Sequence, residues 1–297
     1  MVVALLSSPL AAQSKPTAPL VLRLPGGTRA AGMGNVFVTG RGAEAIFYNP
    51  AQIGTLRGTT LSLTRFGSSA TLGTFSTVGA LGRIAIGAGV QYLDYQTPSG
   101  IGVYGRPGFL PAGGPLQSSS LGALLAAEAR IVGVRFGVAG KYVQEQIDGN
   151  RDGSFALDAG LAREVGRISV GLSVQNLGRG LDILDQRASL PTRVTLGASS
   201  PTVELGSYFD LVLAAAVSRE RDGRIVPGAG AELLYQSVEG WSWVVRAGVR
   251  RVEGGAKPLE SPITLGGSFG LDRFWLDYAL QPSRGTAATH RIGIRIQ

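Results

Sequence analysis

Apolar and polar residues alternate one by one along most of the chain after Thr59. Between Ile168 and Gln175, every even-numbered residue is isoleucine, valine or leucine, whereas the odd-numbered residues are serine, glycine and glutamine. A period of two is the signature of a β-strand, because successive side chains point to opposite faces. The two faces of these strands must therefore meet different surroundings.

Segments of this kind are about as long as the 9–11 residues that a tilted membrane strand needs. An even number of such strands is typical of bacterial single-chain barrels. We predict fourteen strands, which begin near Thr59, Ala70, Arg83, Ser118, Ile131, Ser154, Arg167, Pro191, Tyr208, Ile225, Trp241, Pro262, Arg273 and Thr289.

The composition indicates a membrane environment for these strands. Charged residues make up 16% of the chain, against about 25% in soluble domains, and no run approaches the ~18 apolar residues of a membrane helix. Strands in lipid must close on themselves to satisfy their backbone groups. We therefore predict an all-β fold, a 14-stranded antiparallel transmembrane β-barrel at 58–297 that follows a short N-terminal plug segment.

The distribution of aromatic residues agrees with this prediction and leaves one alternative. The aromatic residues cluster toward the ends of the segments, as in an interfacial girdle. A soluble β-sandwich also buries aromatic residues, but the low charge and the even strand count favour the barrel. The predicted girdle contains Tyr92, Tyr95, Tyr208, Phe209, Trp241, Trp243, Phe274, Trp275 and Tyr278.

Two N-terminal stretches do not alternate. Residues 1–13 are predicted to be a signal-peptide remnant, because an apolar run ends in small residues and lacks the usual basic start. Residues 24–57 are predicted to form the plug, with a helical turn or two around Ala43 to Phe47 that stops before Pro50. Such a segment, directly before the first strand, would fold back into the lumen.

The plug region carries a family resemblance. Gly27-Thr-Arg-Ala-Ala-Gly-Met-Gly34 and Ala43-Glu-Ala-Ile-Phe-Tyr-Asn-Pro-Ala51 resemble the N-terminal signature of PorV and FadL-like outer-membrane barrels, whose plug carries an Asn-Pro-Ala motif. Gly171–Gly178 with Leu190–Gly197 looks like the family's mid-barrel hairpin. The stretch from Leu276 to Ile296 looks like its closing strands.

The resemblance implies a fourteen-stranded barrel in the outer membrane of a Gram-negative-type bacterium, surrounded by its lipids. It also implies one of two functions. The first is passage of hydrophobic compounds such as fatty acids. The second is service as a type IX secretion accessory protein in a larger membrane assembly, whose loops, such as Thr97 to Gln117, bind a secreted protein without transporting a solute.

The candidate site residues follow from the plug and from strand parity. Asn49, Pro50 and Ala51 are predicted to form a gate element or, equally, a rigid turn that holds the plug, and Phe47 and Tyr48 to contact ligand or to pack the plug. Gly32 and Gly34 are the plug glycines. Lumen-side charged residues are expected to form ladders of opposite charge or, less favoured, a selective lining: Arg135, Lys141, Asp158, Arg193 and Asp277.

Catalytic and nucleic-acid functions are not expected. Gly266-Gly-Ser-Phe-Gly270 matches a nucleophile elbow, but it lies in a strand rather than in a strand-turn-helix, and parity directs Ser268 inward and His290 outward. The net charge of +8 comes from scattered arginines, without a basic helix or an aromatic RNA motif. No metal or cofactor motif is present.

Overall fold

The structure is a computed structural model that describes residues 18–55, 57–67, 70–97, 116–183, 186–251, 261–283 and 287–297. The signal-peptide remnant predicted at 1–13 lies outside these residues. So does most of the long loop predicted from Thr97 to Gln117, and so do residues 252–260 of a second connection.

Antiparallel strands dominate the described residues, and fourteen of them form one closed barrel. β17 pairs with β1, and β10 pairs with both β7 and β12, so that the sheet has no free edge. β8 and β9 form a separate hairpin, and β11 extends the pairing of β12. The strands are β1 (Gly58–Phe66), β2 (Ala70–Leu81), β3 (Ile84–Thr97), β4 (Leu116–Ile131), β5 (Val134–Ile147), β6 (Asn150–Val165), β7 (Ile168–Gly178), β8 (Leu181–Ile183), β9 (Gln186–Ala188), β10 (Arg193–Ser199), β11 (Val203–Leu205), β12 (Phe209–Glu220), β13 (Ile225–Gln236), β14 (Trp241–Arg250), β15 (Ile263–Leu271), β16 (Phe274–Gln281) and β17 (Thr289–Ile296).

The predicted strands and faces are confirmed. Every barrel strand begins within four residues of its predicted start. In β7, Ile168 and Leu172 are exposed on the outer wall, whereas Ser169 and Ser173 are buried on the lumen side. The apolar side chains therefore point outward into a membrane rather than into the core of a sandwich, and the sandwich alternative is wrong.

Two members of the predicted aromatic girdle are corrected. Even-numbered residues of β3 and β16 point outward, as exposed Tyr92 and Phe274 show. Tyr95 and Trp275 stand at odd positions, so strand parity turns them into the lumen. There Tyr95 donates to Glu145 at 2.8 Å, and Trp275 stacks on the guanidinium of Arg295.

The two ends of the barrel differ in their connections. At one end, which we call the turn end, four hairpins close with the two-residue turns 82–83, 132–133, 166–167 and 272–273. At the other, the loop end, several connections are much longer, such as 98–115 and 251–262. Outer-membrane barrels have short periplasmic turns and long extracellular loops, so the turn end faces the periplasm.

The N-terminal segment fills the lumen with short helices. They are 3₁₀ helices at Leu20–Arg23, Ala43–Phe47 and Pro50–Thr55 and one α-helical turn, α1 (Thr28–Gly32). The Ala43–Phe47 helix lies where helical turns are expected. Among the described residues, no helix has the length and apolarity to cross a bilayer.

Candidate functional site

The plug lies directly against lumen-facing glycines of the barrel wall. A Cβ atom at Gly137 would overlap the carbonyl of Pro50 and the amide nitrogen of Ala51. A Cβ atom at Gly248 would overlap the backbone of Met33 and Gly34. Because these wall positions have no side chain, the plug backbone reaches the strand backbone. Other glycines that face plug atoms in this way are Gly160, Gly171, Gly197, Gly228, Gly230, Gly266 and Gly293.

The Asn49-Pro50-Ala51 turn is the anchor of the plug on the β5–β7 side. Asn49 is fully buried, and its Nδ2 donates to the carbonyls of Val38 at 2.8 Å and Leu161 at 3.2 Å. Its Oδ1 accepts the N–H of Ala51 at 3.0 Å. Pro50 begins a 3₁₀ helix, where the missing N–H costs nothing. The motif thus joins two plug segments to β6, and its role as a gate remains a prediction.

The neighbours Phe47 and Tyr48 have different surroundings. Both belong to one buried apolar cluster, and the carbonyl of Phe47 accepts a hydrogen bond from Gln175 at 2.8 Å. Tyr48 lines the lumen cavity, and its hydroxyl accepts the N–H of Gly26 at 2.9 Å. Burial raises the pKa of Tyr48 to about 12, against the opposing positive charge of Arg291. Of the pair, Tyr48 is therefore the one in a position to contact a ligand.

The two plug glycines lie at the end of α1, against β14 and β15. Gly32 approaches the backbone of Gly266. Gly34 has a φ of 66°, a left-handed conformation that glycine adopts without strain, and its N–H donates to Thr264 Oγ1 at 2.8 Å. Both glycines therefore permit close packing on the wall.

The five charged residues predicted to face the lumen are all found there in ion pairs. Lys141 Nζ lies 2.7 Å from Asp158 Oδ2 and also donates to Asn176 Oδ1 at 2.9 Å. The other three pairs are Arg135 with Glu164 at 3.2 Å, Arg193 with Glu220 at 2.8 Å, and Asp277 with Arg295 at 3.1 Å. Whether any of them selects a solute remains a prediction.

A larger charge network, which the sequence reasoning missed, ties α1 to the wall. Arg29 of α1 lies 3.3 Å from Glu232, which also pairs with Arg246 at 2.5 Å. Arg246 reaches Asp277 at 3.7 Å, and Asp277 holds Arg295. Strand parity could have placed the wall residues of this network in the lumen, since Arg295 alternates with outward-pointing isoleucines. The partner on the plug had no such signal.

Ser268 belongs to this network and not to a catalytic pair. Its hydroxyl donates to Asp277 and accepts from Arg246 Nη1. His290 lies on the outer wall, two strands away, where its Nδ1 is 2.7 Å from the hydroxyl of Tyr278. A nucleophile needs its base within about 3 Å, so the elbow-like sequence does not form a hydrolytic site. No cluster of three or more potential metal-ligating side chains occurs in the part of the chain that the structure describes.

A cavity of about 660 Å³ lies between the plug and the loop end of the lumen. One part of its lining is apolar, with Leu20, Leu24, Val36, Val38 and Phe66. The lining also includes charged residues: Arg291 on β17, and the ion pair of Arg193 with Glu220 on β10 and β12. A volume of this size is within the range of small-molecule sites.

Arg291 is the charged residue of this cavity that carries an unsatisfied polar atom. The residue is 2% exposed, and its Nη2 donates to the carbonyl of Pro25 at 2.6 Å. Its Nη1 and the Oγ1 of the register partner Thr64 are buried without a hydrogen-bond partner among the described residues. The cavity thus combines an apolar wall with a buried cation and a hydroxyl, a set that suits an amphipathic acid.

The fold is that of FadL-type outer-membrane barrels, as the plug signature implied. The chain resembles the toluene transporter TbuX of Ralstonia pickettii (TM-score 0.61, 14% identity, 93% of this chain and 100% of that chain). It also resembles the toluene transporter TodX of Pseudomonas putida (0.60, 11%, 92% and 97%) and the monoaromatic hydrocarbon channel CymD (0.60, 13%, 91% and 96%). No protein-family profile and no curated sequence matches the chain.

Proposed function

We propose that this protein passes hydrophobic compounds across the outer membrane and that its substrates include amphipathic acids such as fatty acids. The observation that carries the proposal is the lumen cavity, whose lining combines apolar side chains with the buried guanidinium of Arg291. Solved barrels of the same fold are named as toluene transporters and as a monoaromatic hydrocarbon channel, which supports hydrophobic passage in general.

The acidic head group is assigned from the chemistry of the cavity. A carboxylate accepts hydrogen bonds and carries no donor, so it matches the free Nη1 of Arg291 and the hydroxyl of Thr64. An apolar tail would lie along Leu20, Leu24 and Phe66. A neutral hydrocarbon would contact the apolar side chains alone and would leave Nη1 of the buried guanidinium without a hydrogen-bond partner.

The test measures uptake of a radiolabelled long-chain fatty acid by a Gram-negative host that lacks its own transporter. We expect the wild-type chain to raise uptake and Arg291→Gln to lower it by about tenfold or more, since a hydrogen bond to a charged group contributes ~1.5–3 kcal/mol. Arg221→Gln removes the same charge from an exposed site at the loop end and is expected to leave uptake unchanged. Toluene uptake is expected to be insensitive to both substitutions.

A heat-modifiability gel of outer-membrane fractions checks that each variant is folded. A folded barrel that raises the uptake of neither compound would overturn the proposal. If a secreted protein co-purified with that inactive barrel, the type IX secretion accessory function would become the better account.

A further inference from the structure

Three of the four two-residue turns at the periplasmic end carry arginine at a position where the turn geometry does not require it. In these three turns only the first residue has a positive φ: 62° at Gly82, 61° at Gly166 and 51° at Asp272. A turn of this kind constrains that first residue and leaves the second open to most residue types. The second residues are Arg83, Arg167 and Arg273, which we call the arginine turns.

The loop end offers a contrast within the same molecule. Its two-residue turn between β5 and β6 is Asp148-Gly149, with positive φ at both residues and no arginine. The fourth turn at the periplasmic end, Val132-Gly133, likewise has a positive φ at both residues and no arginine, so the arginines occur where only the first turn residue is constrained.

Each arginine turn lies at the edge of the outer apolar band. Leu81 and Ile84, which flank Arg83, are 70% and 46% exposed. The residues that flank Arg167 and Arg273 are also exposed and apolar: Val165, Ile168, Leu271 and Phe274. The three arginine side chains are exposed as well. A guanidinium in this position has hydrocarbon on one side and water on the other, which is the depth of lipid head groups.

We propose that the arginine turns bind the phosphates of anionic phospholipids in the periplasmic leaflet. Guanidinium groups donate two parallel hydrogen bonds to phosphate oxygens, and the flanking apolar side chains contact the acyl chains of the same lipids. Glu164, three residues before Arg167 in the chain, already pairs with Arg41 and Arg135. Asp272 precedes Arg273 directly, so we expect the third turn to bind more weakly than the other two.

The experiment titrates the purified, folded barrel in detergent with phosphatidylglycerol and, separately, with phosphatidylcholine, and counts bound lipids by native mass spectrometry. A basic residue near a membrane surface contributes about fivefold to the binding of anionic lipid. Arg83→Gln with Arg167→Gln is therefore expected to weaken phosphatidylglycerol binding about 25-fold, while phosphatidylcholine binding stays unchanged. Arg273→Gln alone is expected to have a smaller effect than either single variant.

The matched control is Arg179→Gln with Arg221→Gln, which removes two exposed arginines from the loop end. Equal losses in the two double variants would show that only net charge matters and would overturn the proposal. So would unchanged phosphatidylglycerol binding when Arg83 and Arg167 are replaced and the barrel is shown to be folded on an unheated gel. Lipid binding is measured without transport, so its outcome is independent of the proposed function.

Discussion

Replacing Gly137 by alanine adds one methyl group to the lumen face of β5, where the Asn49-Pro50-Ala51 turn lies against the wall. The new Cβ would overlap the carbonyl of Pro50 and the amide nitrogen of Ala51. These are backbone atoms, so no side-chain rotation can relieve the overlap. Gly137 has no positive φ, and the strand itself accepts alanine. The cost therefore comes from the contact with the plug.

Overpacking of this kind costs about 1–3 kcal/mol. Gly140 supplies the control, because it lies in the same strand, on the lipid-facing side, and its Cβ would have no neighbour within 4 Å. Alanine is favoured over glycine in a strand by ~0.5–1 kcal/mol. Because that gain applies to both variants, the free energy of unfolding of Gly137→Ala should be lower than that of Gly140→Ala by the overpacking cost alone, about 1–3 kcal/mol.

The assay is equilibrium urea unfolding in lipid vesicles, followed by tryptophan fluorescence, together with limited proteolysis of the plug. We expect Gly137→Ala to unfold at lower urea and to expose the plug to protease, whereas Gly140→Ala resembles the wild type. Equal unfolding midpoints and equal protease protection in the two variants would refute the claim that the plug rests on bare glycine backbone.

Three further predictions follow from the plug and the turns. Glu44→Gln should lower the free energy of unfolding by about 1–2 kcal/mol, because the buried carboxylate accepts the N–H of Thr28 at 2.9 Å at the start of α1; equal urea midpoints would count against this capping role. Tyr48 has a raised pKa of about 12, so its contribution to the free energy of unfolding is complete below pH ~10 and is lost as pH rises through about 12. In Tyr48→Phe, the free energy of unfolding should therefore fall less steeply with pH over this interval than in the wild type. An unchanged slope would contradict the assignment. Val132→Asn should stabilise the barrel by ~1 kcal/mol, because Val132 has a φ of 47° at a turn tip and is 94% exposed; Val238→Asn, at an exposed position without positive φ, is the control, and an equal effect there would argue against strain.

How far the sequence predicted the candidate site depends on the kind of residue. Lys141 and Asp158 were assigned to the lumen by parity alone, and they lie there 2.7 Å apart. Arg291 shares the lumen parity of Arg295 and was open to the same inference, but nothing local distinguishes a buried guanidinium with a free N–H from one in an ion pair. The capping role of Glu44 could not be predicted, because Glu44 lies sixteen residues after Thr28, whose N–H donates the hydrogen bond to it.

The sequence by itself determined the strands, their faces and the membrane environment, because alternation in a β-strand is a local property that each segment shows without reference to the others. Only the tertiary structure decided which lumen residues meet. Closure brings β1 beside β17, so that Thr64 becomes the register partner of Arg291, and it brings the plug onto Gly137 and Gly248. Those contacts depend on the stagger of all fourteen strands around the barrel, which no single segment encodes.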